Sequence, residues 1–310
     1  MRSRELGQPF AGFHFATLRG TTLLHEKTGP YAPPGRAPVV LHRADIIDQL
    51  QRRIPRERLH FGHRLERIAG KTLHFDDGTT QTCELLIGAD GIHSRVRQAL
   101  LTDRPPRASG QIGLWGISPG TLDLPNARCF NELWGNGVRM GFSYVGQAGV
   151  YWFTVVRTPP PKDPDARLAF ILEHARGFPE GVLNVVRRSG HIHATKLWDV
   201  PPPTRWHTDW VCCIGDAVHA CTPNLGQGAC QALEDAACLS ELWQSVPDPE
   251  TRFARYQRQR RVRATAVVYL ARWLGMMGQI RGPLRWARNA VVWATPAWVL
   301  RPALRWIMVR

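Results

Sequence analysis

Apolar residues recur at Ile46, Ile47, Leu50 and Ile54 within LHRADIIDQLQRRI, a spacing that predicts one side of an amphipathic helix. The flanking pattern is different. Residues 11–25 read as strands around a turn at Arg19-Gly20, and a Pro/Gly-rich loop follows from Thr28 to Pro38. Leu65–Ile68 and Lys71–Phe75, closed by the Asp77-Gly78 turn, predict a β-hairpin continuing to Thr82. A strand over Glu84–Ile87 then runs into Gly88-Ala89-Asp90-Gly91, and a helix is expected to begin near Ser94.

From about residue 108 to 200 the pattern becomes strand-rich, with aromatic residues alternating through Phe130–Trp134, Arg139–Tyr144 and Val150–Val156. One helix, Ala166–Arg176, is expected to interrupt it. Three prolines at 201–203 mark a crossing back to a strand over Trp210–Ile214, and beyond Glu234 the chain reads as helical nearly to its end. No internal repeat or low-complexity segment appears.

The stretch from Cys212 to Gly228 carries the clearest chemistry. It predicts a buried strand, an acidic turn at Asp216, and a Gly/Pro loop that opens a helix at about Gln227. A helix start leaves backbone N–H groups unpaired, which suits a negatively charged ligand. Asp216 adds an acceptor for hydroxyl groups. A ligand with both polyol and anionic parts satisfies the two together, and a flavin is such a ligand.

These residues resemble the Gly-Asp motif of the FAD-dependent aromatic hydroxylases, the para-hydroxybenzoate hydroxylase family, of the form GDAxHxxxPxxGQGxxxxxEDA. Gly215-Asp216-Ala217, His219, Pro223, Gly226-Gln227-Gly228 and Glu234-Asp235-Ala236 fill its slots. Gly88-Ala89-Asp90-Gly91, Ser94 and Val96-Arg97 are similar to the family's Asp-Gly motif, GADGxxSxVR. The resemblance implies that this second motif lies near the FAD pyrophosphate and assists nicotinamide access. A tight strand–turn–helix, with Asp90 bonded to its own backbone and Ser94 as N-cap, is the plainer alternative. Arg43, at the start of the predicted helix, matches an arginine that contacts FAD in the family; a solvated helix-start arginine is the alternative.

The segments Glu132–Gly141 and Val150–Phe153 resemble the middle sheet of the zeaxanthin-epoxidase and urate-hydroxylase-like branch, where the sheet forms a wall of the substrate pocket. Gly116 stands where many relatives carry an arginine after the tryptophan, which counts against a urate-like anionic substrate. His219 is expected to position the flavin loop rather than act as a base.

Composition bounds the rest. The 310 residues are 44% hydrophobic and 21% charged, which is globular, and the net charge of +15 points to anionic partners. The basic residues are dispersed and no nucleic-acid-binding motif stands out. Seven cysteines without a CxxC pair read as core residues of a reducing compartment. His191/His193 fits alternation on a strand, and no metal site is expected. MRSRELGQPF lacks a signal-peptide core, and no run reaches the roughly 18 apolar residues of a membrane span. The expected location is cytoplasmic. The C-terminal region interleaves tryptophans with arginines, so it either packs over the substrate pocket or lies on an anionic membrane surface.

One departure matters. The family begins with a strand–GxGxxG–helix fingerprint, and no GxGxxG occurs in these 310 residues. The order of the matched motifs corresponds to the family chain without that opening βαβ unit. A misplaced start, a split enzyme completed by another chain, or a non-catalytic remnant would each explain it. The expected fold is therefore α/β (mixed α+β): an incomplete FAD/NAD(P)-binding parallel sheet, an inserted and mostly antiparallel substrate sheet, and C-terminal helices. Residues 1–35 and 108–205 are assigned to the substrate sheet, 36–107 and 206–247 to the FAD-binding part, and 248–310 to the helices. The resemblance implies an FAD-dependent monooxygenase that uses NAD(P)H and O₂ to hydroxylate or epoxidise an aromatic or polyene-like organic substrate. Its cofactor contacts are expected from Arg43, Asp90, Gly91, Gly215, Asp216, Pro223, Gly226, Gln227 and Gly228, with no side chain singled out as a catalytic acid or base.

Overall fold

Alternating burial along Gly12–Thr17 and continuous burial along Arg139–Ser143 mark two kinds of strand within a single seven-stranded sheet. The computed structural model describes residues 7–29, 39–120, 122–124, 126 and 128–308; the expected loop from Thr28 lies outside them from residue 30 to 38. The chain divides into two units. The first comprises Met1–Pro55, Gly110–Lys196 and Met276–Arg310, and the second Arg56–Ser109 and Leu197–Gly275. Residues 36–55 thus group with the substrate sheet, and the long helix Pro249–Gly278 contains a unit boundary.

In the first unit the sheet runs in the order His193–Asp199, Arg107–Ser118, Val150–Val156, Arg139–Tyr144, Cys129–Trp134, Gly12–Thr17, Thr22–Lys27. From Arg107–Ser118 to Thr22–Lys27 neighbouring strands pair antiparallel, except Cys129–Trp134 with Gly12–Thr17, which is parallel. One face carries Leu114, Leu133, Met140, Phe142 and Trp152, which form a core with Ile171, Val182, Val185 and Val186 from the helices Ala166–His174 and Glu180–Arg187. Each such side chain contributes about 1.5–3 kcal/mol by leaving water. The second of these helices escapes the periodicity reading, which placed only one helix here. It is eight residues long and follows Pro179, which supplies its N-cap.

The helix Arg43–Gln51 forms where predicted, but it buries none of its residues, and Ile47, Leu50 and Ile54 are exposed. The apolar spacing thus marks the helix without burying that face among the described residues.

The second unit contains the three-stranded meander Leu65–Ala69, Thr72–Phe75 and Thr80–Thr82. Beside it in the chain, Leu86–Gly88 pairs in parallel with Val211–Cys213. Val96, Cys212, Cys213, Val218, Cys238, Leu239, Phe253 and Tyr256 form the core under that pair. Burial pushes the thiol pKa of Cys213 up to about 12 and that of Cys212 well above its ordinary value, as expected of thiols that serve as small apolar fillers. Among the described residues, no helix is long and apolar enough to cross a membrane.

Candidate functional site

The two motif turns leave the same ends of adjacent parallel strands, because Gly88 is registered with Cys213. Carboxyl ends of parallel strands are where α/β sheets place ligands. Gly88 is needed for space and not for its backbone angle: a Cβ there would meet Cys213 Sγ and Val96 Cβ at 2.9 Å. Gly91 and Gly215, by contrast, hold φ of +80° and +57°, the region in which glycine is favoured.

Ser94 caps the helix Arg95–Leu100 by accepting from the Arg97 N–H at 2.9 Å, as expected. Asp90 joins it: its Oδ2 accepts from the N–H groups of Arg95 at 2.7 Å and Val96 at 3.2 Å. The plainer reading of Asp90 is therefore realised, and its carboxylate is exposed at the same time. Arg97, the last residue of the motif, is fully buried. It donates from Nη1 to the carbonyl of Ala217 at 2.6 Å and from Nη2 to that of Ile92 at 2.8 Å. Burial lowers its pKa, against the opposing pull of Cys213 and Asp90.

The Gly-Asp turn is tied down from below. Asp235 Oδ2 accepts from the Gly215 N–H at 2.8 Å and meets His219 Nε2 at 2.6 Å, and its Oδ1 accepts from Arg260 Nε at 2.8 Å. Burial alone would raise the Asp235 carboxyl; the His219, Arg260 and Gly215 bonds outweigh it and hold the pKa below its ordinary value. Arg260 also donates to Gln231 Oε1 at 2.8 Å and to Glu234, which Arg263 clamps as well. His219 is thus a buried positioning group.

Above this scaffold Asp216, Pro223 and Gly226 are exposed, and Gln227 and Gly228 are half-buried. The structure adds a short helix, Asp216–His219, where only an acidic turn was expected. Gly226 adopts a left-handed conformation, φ 63° and ψ 19°, and turns the chain into the helix Gly228–Ser245. That helix has no side-chain cap, and its ladder begins with Gln231 N–H to Gln227 O. The amides of Gly228, Ala229 and Cys230 therefore precede it. A Cβ on Gly228 would lie 4.0 Å from Asp216 Oδ1, and one on Gly91 or Gly226 would meet nothing within 4 Å. An exposed carboxylate, uncapped amides and glycines bordering open space fit the polyol and electron-rich edge of a flavin. Arg43 lies in the other unit, exposed at the first position of its helix.

In the first unit, the sheet face opposite the core carries Phe13, Phe15, Trp115, Phe130, Tyr151 and Phe153, all half-buried. Phe130 and Phe153 stack at 5.9 Å. Gly141 makes room for this: a Cβ there would stand 2.2 Å from Phe153 Cε1. Within the aromatic face lies a buried charged group that the sequence reading missed. Arg139 Nε stands 2.9 Å from Glu132 Oε1, and Arg288 covers the Trp134 ring at 4.9 Å. Burial raises the Glu132 pKa despite Arg139, and brings that of Arg288 down to about 10. Gly116 faces the other side, where a Cβ would meet the His191 carbonyl at 2.9 Å and the Trp152 ring at 3.1 Å. The backbone here leaves little room for any side chain.

Comparison with known proteins agrees with this geometry. Residues 56–271 match the family described as FAD binding domain. The chain is 30% identical over 302 residues to 2-heptyl-3-hydroxy-4(1H)-quinolone synthase of Pseudomonas aeruginosa, covering 94% of this chain and 78% of that protein. It is 31% identical over 282 residues to aurachin C monooxygenase/isomerase of Stigmatella aurantiaca, covering 88% and 73%. In fold it resembles Klebsiella pneumoniae HpxO complexed with FAD and uric acid, with a TM-score of 0.86 at 24% identity over 97% of this chain and 81% of that one.

Proposed function

The chain belongs to the FAD-binding family of flavin-dependent monooxygenases, and on that premise we propose that it hydroxylates a flat, largely apolar heteroaromatic compound. FAD is its cofactor, and NAD(P)H and dioxygen are its co-substrates. The observation that carries the reading is the joining of both flavin motifs, at the carboxyl ends of one parallel strand pair, through the buried Arg97.

FAD, when bound and reduced, supplies the oxygen-transferring chemistry. The chain's own residues bind and orient. Asp216 accepts hydroxyl hydrogens of the polyol, while the amides at Gly228 and beyond favour negative charge at the helix start. Gly226 and Gln227 shape that loop, Pro223 stiffens its entry, and Gly91 and Gly215 let backbone approach the ligand closely. Asp90 holds the neighbouring helix in place while presenting its carboxylate on the pyrophosphate side. Arg43 is carried over from the resemblance as a phosphate contact. The aromatic face of the sheet supplies stacking for the substrate ring, and the Glu132–Arg139 pair gives that face its polar handle.

Similarity to the heptyl-hydroxyquinolone synthase makes a 2-alkyl-4-quinolone the first compound to try. Under isotopically labelled dioxygen, with FAD and NADH or NADPH, the product should gain one labelled oxygen atom. NAD(P)H consumption that yields only peroxide, with every alkylquinolone tried, contradicts the substrate assignment.

A second reading concerns assembly: a GxGxxG unit on another chain completes the flavin site. A largely apolar groove lined by Ile87, Ile214, Ala236, Leu239 and Trp243, with Ser240 and Gln244, favours it, since such a seam beside a two-stranded parallel pair suits a further strand. Native mass spectrometry of the protein isolated from its own cells tests this, and a chain found only by itself contradicts it.

A further inference from the structure

Beyond Gly275 the chain changes character. Residues 276–310 contain arginines at 281, 285, 288, 301, 305 and 310 and tryptophans at 286, 293, 298 and 306, but no aspartate, glutamate or lysine. Two short helices follow one another here, Leu284–Ala294 and Ala297–Met308.

The first is amphipathic in the inverted sense. Its exposed residues are Leu284, Trp286, Ala287, Ala290, Val291, Trp293 and Ala294, every one apolar. Of its polar residues, Arg285 and Asn289 are half-buried, Arg285 with its guanidinium over the Trp286 ring at 4.8 Å, and Arg288 turns inward. Arg288 is buried and donates from Nη1 to the carbonyls of Met277 and Gly278, both at 3.2 Å, at the end of the preceding long helix. Asn289 accepts from the same guanidinium at 2.8 Å. The helix is thereby fixed against the strand Thr22–Lys27 with its apolar side outward. Trp286 and Trp293 are two turns apart on that side, 60% and 70% exposed. Trp298 and Val299 extend the apolar surface into the next helix, Arg281 and Arg305 are exposed, and Arg301 pairs with the buried Glu26 at 3.2 Å.

We infer that this face docks the protein on an anionic lipid bilayer. Tryptophan rings and aliphatic side chains on one side of a helix, with exposed arginines in a segment that has no acid of its own, are the combination that settles into the headgroup region of such a membrane. A segment bearing only positive charge is attracted to that surface. It also repels a second copy, since each chain carries a net charge of +15. The helices lie in the interface and do not cross it. This surface is independent of the flavin reading and brings the protein to where lipophilic compounds concentrate.

Co-sedimentation of the full chain with vesicles tests the inference, using phosphatidylcholine alone or mixed with phosphatidylglycerol. The protein should pellet with the mixed vesicles at low salt and be released at high salt. Trp286→Ser/Trp293→Ser should lower the partition by at least about tenfold. Arg281→Gln/Arg305→Gln keeps the apolar face and should lower binding to the mixed vesicles on the order of twentyfold. Both pairs are surface positions, so thermal melts should match the parent. Three results would each overturn the inference: parent protein that stays in the supernatant with mixed vesicles, a tryptophan variant that pellets like the parent, or a dimer in solution that the tryptophan variant dissociates. None of these readouts requires bound flavin, so a failed flavin assay leaves the inference standing and a failed vesicle assay leaves the monooxygenase reading standing.

Discussion

Arg97 donates from Nη1 to the carbonyl of Ala217 at 2.6 Å, linking the Asp-Gly and Gly-Asp turns across 120 residues of chain. Both turns rest on short strands of three residues each, and three ladder positions give little orientational control. The buried guanidinium supplies what the strands lack. Arg97→Met leaves the Ala217 and Ile92 carbonyls without their donors and should cost about 2–4 kcal/mol in urea unfolding. Arg97→Lys should recover part of it, and an unchanged midpoint in Arg97→Met would contradict the role.

Asp235 acts as the corresponding anchor beneath the Gly-Asp turn. Its folded pKa lies below the unfolded value, so its stabilisation is present above the unfolded pKa and is lost as pH falls through the folded one. The parent protein should therefore weaken in acid below about pH 4. Asp235→Ala takes one carboxylate from the buried Arg260, which keeps Glu234 and Gln231, and leaves the Gly215 N–H without its acceptor, so it should cost about 2–4 kcal/mol at neutral pH. Its stability should also vary less with pH across the acid range, a point that unfolding curves at several pH values check.

Two glycines of the motifs should respond differently to alanine. Gly88→Ala forces a Cβ against Cys213 and Val96 and should destabilise by about 1–3 kcal/mol through overpacking. Gly226→Ala meets no neighbour and pays only for its left-handed backbone, about 1–2 kcal/mol. The Gly226 methyl should also weaken flavin binding, because it points into the open side of the loop. Paired melting and flavin titrations separate the steric effect from the conformational one.

Asp216 separates ligand binding from folding. The side chain is exposed at the motif turn, so Asp216→Ala should stay folded, with its melting curve recorded beside the parent's. Loss of a charged acceptor to the ribityl hydroxyls should weaken FAD by about tenfold to a hundredfold. A variant that melts early but binds FAD normally contradicts the assignment.

Much of this was legible before any coordinates. Arg139–Tyr144 and Val150–Val156 fall at the predicted residues; along Val150–Phe153 buried and half-buried positions alternate, the period-two signal of a strand. Ser94 as N-cap and the meander through Asp77-Gly78 follow from equally local rules. The misses are tertiary. Glu180–Arg187 is too short to declare a period. Arg97 was visible as a motif letter, but its partner 120 residues away was not. Nothing marks Arg260 among the arginines of RYQRQRRVR; only folding brings it to Asp235. Gly88 is a packing glycine, and the sequence does not show that Cys213 and Val96 crowd it.

The central claim is that this chain holds a reducible flavin. Anaerobic titration of the purified protein with FAD, followed by NADPH or NADH, tests it most directly. Saturable appearance of a perturbed flavin absorbance band, weakened in Asp216→Ala and bleached by the nicotinamide, is the predicted result. Protein that stays colourless after FAD addition and gel filtration, at concentrations where its melting curve shows it folded, would contradict the account.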